Sequence, residues 1–351
     1  MSEQIRVLLV EDNPADADLV GDLLEGVTVA DFEVTLAGRL SEALTLLESN
    51  AQACLLLDLG LPDAQGMESV VSIRAVYPNV PIVVLTGRDD EQTGIEALRE
   101  GAQDYLVKGR VDGDAISRAV RYSIERKRLD AAKSEFIARA AHELRTPLAV
   151  LAGLGETLGE RYRDLSEERI EQGMQALARQ GQRARALISN LLDLSQLELG
   201  KIAFHTHPVP LAAVVEQTLE GMGSAAPELE VEIEPGQQVL ADPARLEQIL
   251  SNLFTNVVKY GGGRATVTAK SEGGRVQVRV SDRGTGVPED IQPRLFEPFA
   301  RGSNTSEAEG SGLGLPISRG LAESMGGELS YESGGEGATF LLELAEPAVS
   351  G

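Results

Sequence analysis

Five short apolar runs alternate with amphipathic stretches through the first third of the chain. Residues 5–10, 32–36, 53–57, 81–85 and 104–107 read as strands, and the stretches opening near Pro14, Leu40, Gln65, Asp89 and Asp114 read as helices. Near-continuous apolar strands require burial on both faces, which predicts a doubly wound, five-stranded parallel sheet. Past Asp114 the period changes. Leu129, Ala132, Phe136, Ala140, Leu144, Leu148 and Leu151 recur at every third or fourth position, with no proline before Pro147. The last helix of the sheet domain is therefore expected to run straight into a second domain. After a loop at 163–166, Ile170, Met174, Leu177, Ala184, Leu187, Leu191, Leu194 and Glu198 lie at near-heptad intervals, so two helices form a hairpin with one apolar seam. A lone hairpin cannot cover both its faces, and a dimeric four-helix bundle, hence a homodimer, is expected. Between the two domains, Glu125-Arg126-Lys127-Arg128 reads as a solvated face or as a tunable joint. Pro208 to Pro210 marks the next boundary, and the alternation Val276, Val278, Val280 marks a strand beyond it. The expected fold class is multidomain α/β, with domains at 1–125, 126–205 and 206–351.

Charge narrows the partners. The 351 residues carry 32 basic against 55 acidic side chains, a net charge of -23. That balance argues against a nucleic-acid partner, because phosphate backbones attract Lys and Arg surfaces. No apolar stretch approaches the roughly 20 residues that span a bilayer, and the first residues lead into a strand rather than a signal peptide. No membrane partner and a cytoplasmic location are expected. Cys54 is the sole cysteine, which excludes an intrachain disulfide, and its place in an apolar strand points to packing.

Ligands on doubly wound sheets bind at the carboxyl ends of the strands. Those ends carry Glu11 and Asp12, then Asp58, Thr86 and Lys108. Three converging carboxylates repel one another unless a hard cation sits among them, and Mg²⁺ prefers such oxygen ligands. Asp58 then suits a carboxylate nucleophile towards a phosphoryl group, with Lys108 and the metal neutralising its oxygens. Residues 1–125 resemble a response-regulator receiver domain, and Asp58-Leu59-Gly60-Leu61-Pro62-Asp63 closely matches its phosphoacceptor loop. The resemblance implies that the Gly60 carbonyl also faces the metal. It places Thr86 and Tyr105 at switch positions, where a hydroxyl turns towards phosphate and a ring changes rotamer. One residue departs from the pattern: receivers usually carry proline after the lysine, and here Gly109 follows Lys108.

The run Ala141-His142-Glu143-Leu144-Arg145-Thr146-Pro147-Leu148 sets a histidine, a carboxylate and a hydroxyl on adjoining helical positions. A neutral imidazole nitrogen is nucleophilic near neutral pH, and Glu143 is placed to take up or orient the departing proton. Thr146, four positions on, shares the face of His142. The run resembles the phosphoacceptor box of bacterial sensor histidine kinases, in which the position of His142 takes the phosphoryl group from ATP. Glu143-x-x-Thr146 also resembles that family's phosphatase signature, which implies a bifunctional kinase and phosphatase.

Further on, Asp242-Pro243 reads as a helix start. The helix then presents Asn252, Asn256 and Lys259 near one face, a set suited to a metal and phosphates. Asp282-Arg283-Gly284-Thr285-Gly286 follows a strand, where the acid can accept a hydrogen bond from adenine and the glycines permit close backbone approach. Gly310-Ser311-Gly312-Leu313-Gly314-Leu315 opens a helix whose free N–H groups favour phosphate. With Phe296-Glu297-Pro298-Phe299 and Gly335-x-Gly337-Ala338-Thr339-Phe340, these segments resemble the boxes of a histidine-kinase (GHKL-type) ATP-binding domain over 211–346. That resemblance implies an α/β sandwich and a mobile lid between Arg283 and Gly310. It makes Asn256 the Mg²⁺ ligand, Asn252 its neighbour at the phosphates, Lys259 a phosphate contact, Tyr260 an adenine-side packing residue and Asp282 the adenine reader. Gly284, Gly286, Gly310, Gly312, Leu313 and Gly314 are the cofactor-binding backbone. Gly261-Gly262-Gly263 is looser than the usual ending of this helix.

Together these resemblances imply a hybrid-type, bacterial protein histidine kinase that uses ATP and Mg²⁺ and carries an amino-terminal receiver. Its implied partners are a second copy, a response-regulator receiver (its own or a separate one) and an upstream histidine kinase acting on Asp58. With no sensory fold between receiver and bundle, the receiver is expected to be the input. Two other readings stay open: an internal phosphorelay with Asp58 as sink, and a noncatalytic dimeric scaffold, against which His142, Asn256 and Asp282 argue.

Overall fold

A computed structural model of the chain describes residues 4–49, 52–87, 91–300, 311–333 and 337–347. The chain divides into two compact units, Met1–Ile137 and Ala138–Gly351.

The first unit alternates strand and helix: β1 (Gln4–Val10), α1 (Pro14–Glu25), β2 (Asp31–Ala37), α2 (Leu40–Ser49), β3 (Cys54–Asp58), α3 (Met67–Val76), β4 (Ile82–Thr86), α4 (Glu91–Glu100) and β5 (Asp104–Val107), then the start of α5 (Gly113–Arg161). The five strands lie in the order β2-β1-β3-β4-β5, every pair parallel. Alternate side chains feed two cores. Leu8, Val10, Leu55, Leu57, Ile82 and Val84 pack with residues of α2, α3 and α4, among them Ala43, Ile73 and Ala97. Val7, Leu9, Cys54, Leu56, Val83 and Leu85 pack on the other face with Val20 and Leu24 of α1 and with Ile116 and Val120 of α5. Two-sided burial is why β3 and β4 show no polar alternation. Asn13 caps α1 by accepting from the Ala15 N–H, with Pro14 in the first turn. Helix α3 begins two residues later than the sequence pattern predicts, because Gly66 takes φ +58° and ψ -133°, outside the helical region. The expected helix start at Asp89 lies outside the described residues.

In the second unit, the remainder of α5 is followed by α6 (Glu167–Glu198), capped by Ser166, whose hydroxyl accepts from the Arg169 N–H. Leu158 of α5 lies directly over Gly173 of α6, fixing an antiparallel hairpin. Ala184, Leu187 and Leu194 are buried along the seam, whereas Leu148 (53%), Met174 (58%) and Leu192 (58%) are largely exposed in the single chain. Helix α5 continues through Pro147, which cannot supply the N–H that would meet the Glu143 carbonyl.

Then follow β6 (His207–Pro210), α7 (Leu211–Met222), β7 (Glu228–Glu232), β8 (Gln238–Ala241), α8 (Pro243–Tyr260), β9 (Arg264–Glu272), β10 (Arg275–Asp282), α9 (Gly314–Ser324), β11 (Glu328–Glu332) and β12 (Thr339–Ala345). A mixed sheet runs β11-β12-β10-β9-β7, antiparallel except for β7 with β9, and β6 pairs with β8. Val267, Val278, Val280 and Leu342 turn inward, and Leu246, Ile249, Leu250, Leu253, Phe254 and Val257 form the buried stripe of α8. The polar residues of α8 are thereby left on its other face, where the candidate nucleotide site forms.

Candidate functional site

Parallel register in the first unit brings the carboxyl ends of β1, β3, β4 and β5 to one edge. Oxygen atoms of Glu11, Asp12 and Asp58 lie within 4.8 Å of one another there, with Glu11 buried, Asp58 half-buried and Asp12 exposed. An all-oxygen set of three carboxylates fits a hard divalent cation. Lys108 Nζ is 2.6 Å from Asp58 Oδ1, is hydrogen-bonded to Glu11 and is 3.2 Å from Asp16 Oδ2. Burial, with the Asp58 charge adding to it, pushes the Glu11 carboxyl above its ordinary range despite the Lys108 bond. Burial works against the Lys108 ammonium, yet its hydrogen bonds to Asp58 and Glu11 hold its pKa above the usual lysine value. The Gly60 N–H donates to Asp58 Oδ2 at 2.7 Å, so both oxygens of Asp58 are oriented.

Thr86, buried at the end of β4, directs its hydroxyl to the Leu106 carbonyl at 3.4 Å. The Tyr105 ring lies against Gly94 of α4, where a Cβ would meet the ring. Gly109 has φ +77°, a conformation closed to proline, which accounts for the departure noted in the sequence. Two partners in this region escape sequence inspection. Asp16 reaches Lys108 across 92 positions, and its only signal is its place four residues beyond Asp12. Asp63 accepts from the Leu40 and Ser41 N–H groups and the Ser41 hydroxyl, capping α2 from the acceptor loop. Those bonds, that from the Ser41 N–H first, hold its pKa at about 2.

His142 is exposed on α5, Glu143 is half-buried, and Thr146 directs its hydroxyl to the His142 carbonyl at 3.5 Å. The ATP-type domain is tied to α6 within the same unit. Gln248 Nε2 donates to Asp193 Oδ2 at 2.8 Å, Arg245 lies 3.8 Å from Asp193, and Leu197 packs against Gly320 of α9.

The nucleotide-type site is built from the end of β10 and the polar face of α8. Asp242 caps α8 by accepting from the Ala244 and Arg245 N–H groups, and also accepts from the His205 N–H. Burial opposes its charge, but these three backbone donors draw its pKa below the ordinary carboxylate range. Asp282, 7% exposed, accepts at Oδ1 from the Gly284 and Ala338 N–H groups, both at 2.9 Å. Its Oδ2 receives no protein hydrogen bond among the described residues. Two glycines press on it: a Cβ on Gly337 would lie 2.1 Å from the Asp282 carbonyl oxygen and one on Gly261 2.5 Å from its Cβ, while one on Gly284 would lie 2.2 Å from the Tyr260 carbonyl oxygen. Gly261, the first of the glycine run after Tyr260, is therefore shaped to the acid. Close approach requires glycine at 261 alone, whereas Gly262 and Gly263 take φ +70° and +76°, and the Gly263 N–H bonds the Val257 carbonyl.

Asn252 donates to the Gly314 carbonyl at 3.3 Å and to the Ser318 hydroxyl at 3.1 Å, which brings it to the amino end of α9. Asn256 is half-buried one turn along α8, Lys259 is exposed near its end, and Tyr260 is 43% exposed. Gly286 approaches the Gly337 carbonyl, the Gly312 carbonyl accepts from the Phe299 N–H at 3.0 Å, Leu313 is fully buried, and Gly314 opens α9. Gly310, and the expected lid from residue 301 onward, lie outside the described residues.

Three family descriptions match the chain in succession. These are "Response regulator receiver domain" over 7–121, "His Kinase A (phospho-acceptor) domain" over 132–200, and "Histidine kinase-, DNA gyrase B-, and HSP90-like ATPase" over 241–348. Circadian input-output histidine kinase CikA of Synechococcus elongatus is 37% identical over 229 residues, covering 62% of this chain and 30% of that protein. Sensor protein GacS of Pseudomonas syringae pv. syringae is 26% identical over 351 residues, covering 94% of this chain and 38% of that protein. The chain thus spans well under half the length of these curated relatives. Among solved structures, Acinetobacter baumannii histidine kinase AdeS is 23% identical, covering 59% of this chain and 98% of that one with a TM-score of 0.49. No helix among the described residues is long and apolar enough to cross a membrane.

Proposed function

Because the chain belongs to the hybrid sensor histidine kinases, with receiver, phosphoacceptor and ATPase domains in succession, we propose that it phosphorylates itself on His142 from ATP and passes the phosphoryl group to a receiver aspartate. The observation that carries this reading is the Asp282 cradle, in a chain that also exposes His142. The Oδ2 of Asp282 is left to accept from the adenine amine while Oδ1 is fixed by backbone. The amino end of α9, joined to α8 by Asn252, offers N–H groups to the phosphates. Asn256, Asn252 and Lys259 lie on the polar face of α8, where Asn256 would hold Mg²⁺. The metal, when bound, neutralises phosphate oxygens. His142 attacks the γ-phosphorus through a neutral ring nitrogen, the bond to the ADP oxygen breaks, and Glu143 takes up or orients the ring proton. A second copy would cover the exposed Leu148, Met174 and Leu192.

In the receiver, Glu11, Asp12, Asp58 and the Gly60 carbonyl would hold Mg²⁺, and Asp58 accepts a phosphoryl group from His142 or from an upstream kinase. One helix, α5, carries both Ile116 and Val120 of the receiver core and the acceptor His142, which makes the receiver the natural input. The Glu143-x-x-Thr146 arrangement supports a phosphatase role as well, with Thr146 orienting water against a partner's aspartyl phosphate.

Incubation of the full chain with MgATP is expected to give an acid-labile, alkali-stable phosphoramidate that disappears in His142→Gln. The same label after removal of that ring overturns the reading.

A further inference from the structure

Asp16 lies outside the Glu11, Asp12 and Asp58 set, yet it shares their lysine. The Lys108 ammonium is held by Asp58 at 2.6 Å, by Glu11 and by Asp16 at 3.2 Å. Two of those partners belong to the oxygen set that suits a divalent cation. A cation that takes those oxygens competes with the ammonium for them and repels it across a short, partly buried distance. Asp16 is then the acid left to hold the lysine. Its backbone is fixed in the first turn of α1, behind the Asn13 cap and Pro14.

The backbone beside Lys108 makes such a restraint useful. Gly109 has φ +77°, so the chain leaves the lysine through its most permissive residue type, and the side chain depends on its partners for direction. We infer that Asp16 is a positioning residue that keeps Lys108 at the mouth of the site while a divalent cation occupies Glu11, Asp12 and Asp58, so that the ammonium meets the phosphoryl group arriving at Asp58. This rests on the reading of the first domain as a phosphate-accepting receiver.

The test uses the full chain without ATP, with acetyl phosphate as donor. The Asp58 carboxylate oxygen bonds to phosphorus as the bond from phosphorus to the acetyl oxygen breaks, releasing acetate with its electron pair and moving no proton. Phosphoryl-Asp58 is followed by mass across a Mg²⁺ series, Mg²⁺ affinity is measured separately by calorimetry, and melts confirm that each variant is folded. At saturating Mg²⁺, Asp16→Asn is expected to react about ten-fold more slowly than the parent, and Asp16→Glu to recover most of the loss. Asp16→Asn is also expected to weaken Mg²⁺ binding about five-fold with Lys108 present, and less than about two-fold in a Lys108→Ala background, where the rate should not fall further. Full recovery of the Asp16→Asn rate by excess Mg²⁺ would reduce Asp16 to a nearby charge and overturn the inference. Equal losses in both backgrounds would do the same. A parent chain that shows no Asp58-dependent Mg²⁺ binding and gains no phosphoryl group would instead defeat the receiver reading itself, and this inference with it.

Discussion

At the scale of single residues, the sharpest consequences come from acids whose oxygens accept backbone N–H groups. In Asp282→Asn the amide oxygen can still accept from the Gly284 and Ala338 N–H groups, but the second position becomes a donor and meets the adenine amine unfavourably. Nucleotide titration should show ATP affinity reduced by about 10- to 100-fold, with the melting temperature nearly unchanged. Gly337→Ala differs, since its Cβ would collide with the Asp282 carbonyl from a backbone at φ +91°. It should lose stability as well as nucleotide. Asp63 supplies a pH dependence. Its folded pKa of about 2 lies below the ordinary 3.8, so its contribution to stability is fully present above 3.8 and is lost as pH falls towards 2. Acid melts of the parent should therefore fall through that window, and Asp63→Asn should show a shallower decline. An unchanged slope would mean that the α2 cap carries no linkage.

Among elements, legibility in the sequence followed the range of the interactions involved. The five strands and the stripe of α8 are visible because burial leaves a local pattern, short apolar runs for the strands and a repeat of three to four for the helix. The start of α3 was displaced by one backbone conformation at Gly66, which no hydrophobic pattern records. Asp63 capping α2 from 23 positions away, and Asp193 tying α6 to Gln248 from 55 away, have no local signature at all. Their residue types are common on any helix or loop, and only the tertiary fold gives them partners. The same holds for the Asp282 cradle. Its acid and glycines were legible as a motif, but the fit of Gly261 beneath the acid requires knowing that α8 ends against β10. The packing of these elements is testable. Phe254, fully buried on α8, should cost about 3–5 kcal/mol when replaced by alanine, read from denaturant unfolding of the full chain. A double-mutant cycle on Asp193 and Gln248 should yield a coupling of about 0.5–1.5 kcal/mol, and no coupling would mean the contact is incidental.

For the molecule as a whole, the single chain leaves its hairpin incomplete. Leu148, Met174 and Leu192 remain more than half exposed on a hairpin whose seam buries Ala184, Leu187 and Leu194, a pattern that the proposed second copy would cover. Replacing Leu192 with Glu should shift sedimentation from dimer to monomer. A dimer that persists through both Leu148→Glu and Leu192→Glu would place the interface elsewhere.

The unbroken course of α5 has a further implication. Along an α-helix each residue advances about 100° of azimuth, so removing one residue between 125 and 130 would turn everything downstream by that angle while shortening the rod by only about 1.5 Å. Removing seven, residues 124–130, would restore the original azimuth to within about 20° despite a shift of roughly 10 Å. If signals travel along this helix as torsion, excising seven residues should preserve the response of His142 to phosphorylated Asp58 better than excising one does. If they travel as displacement, the smaller excision should be the gentler. The number of residues removed from α5 thus separates torsion from displacement.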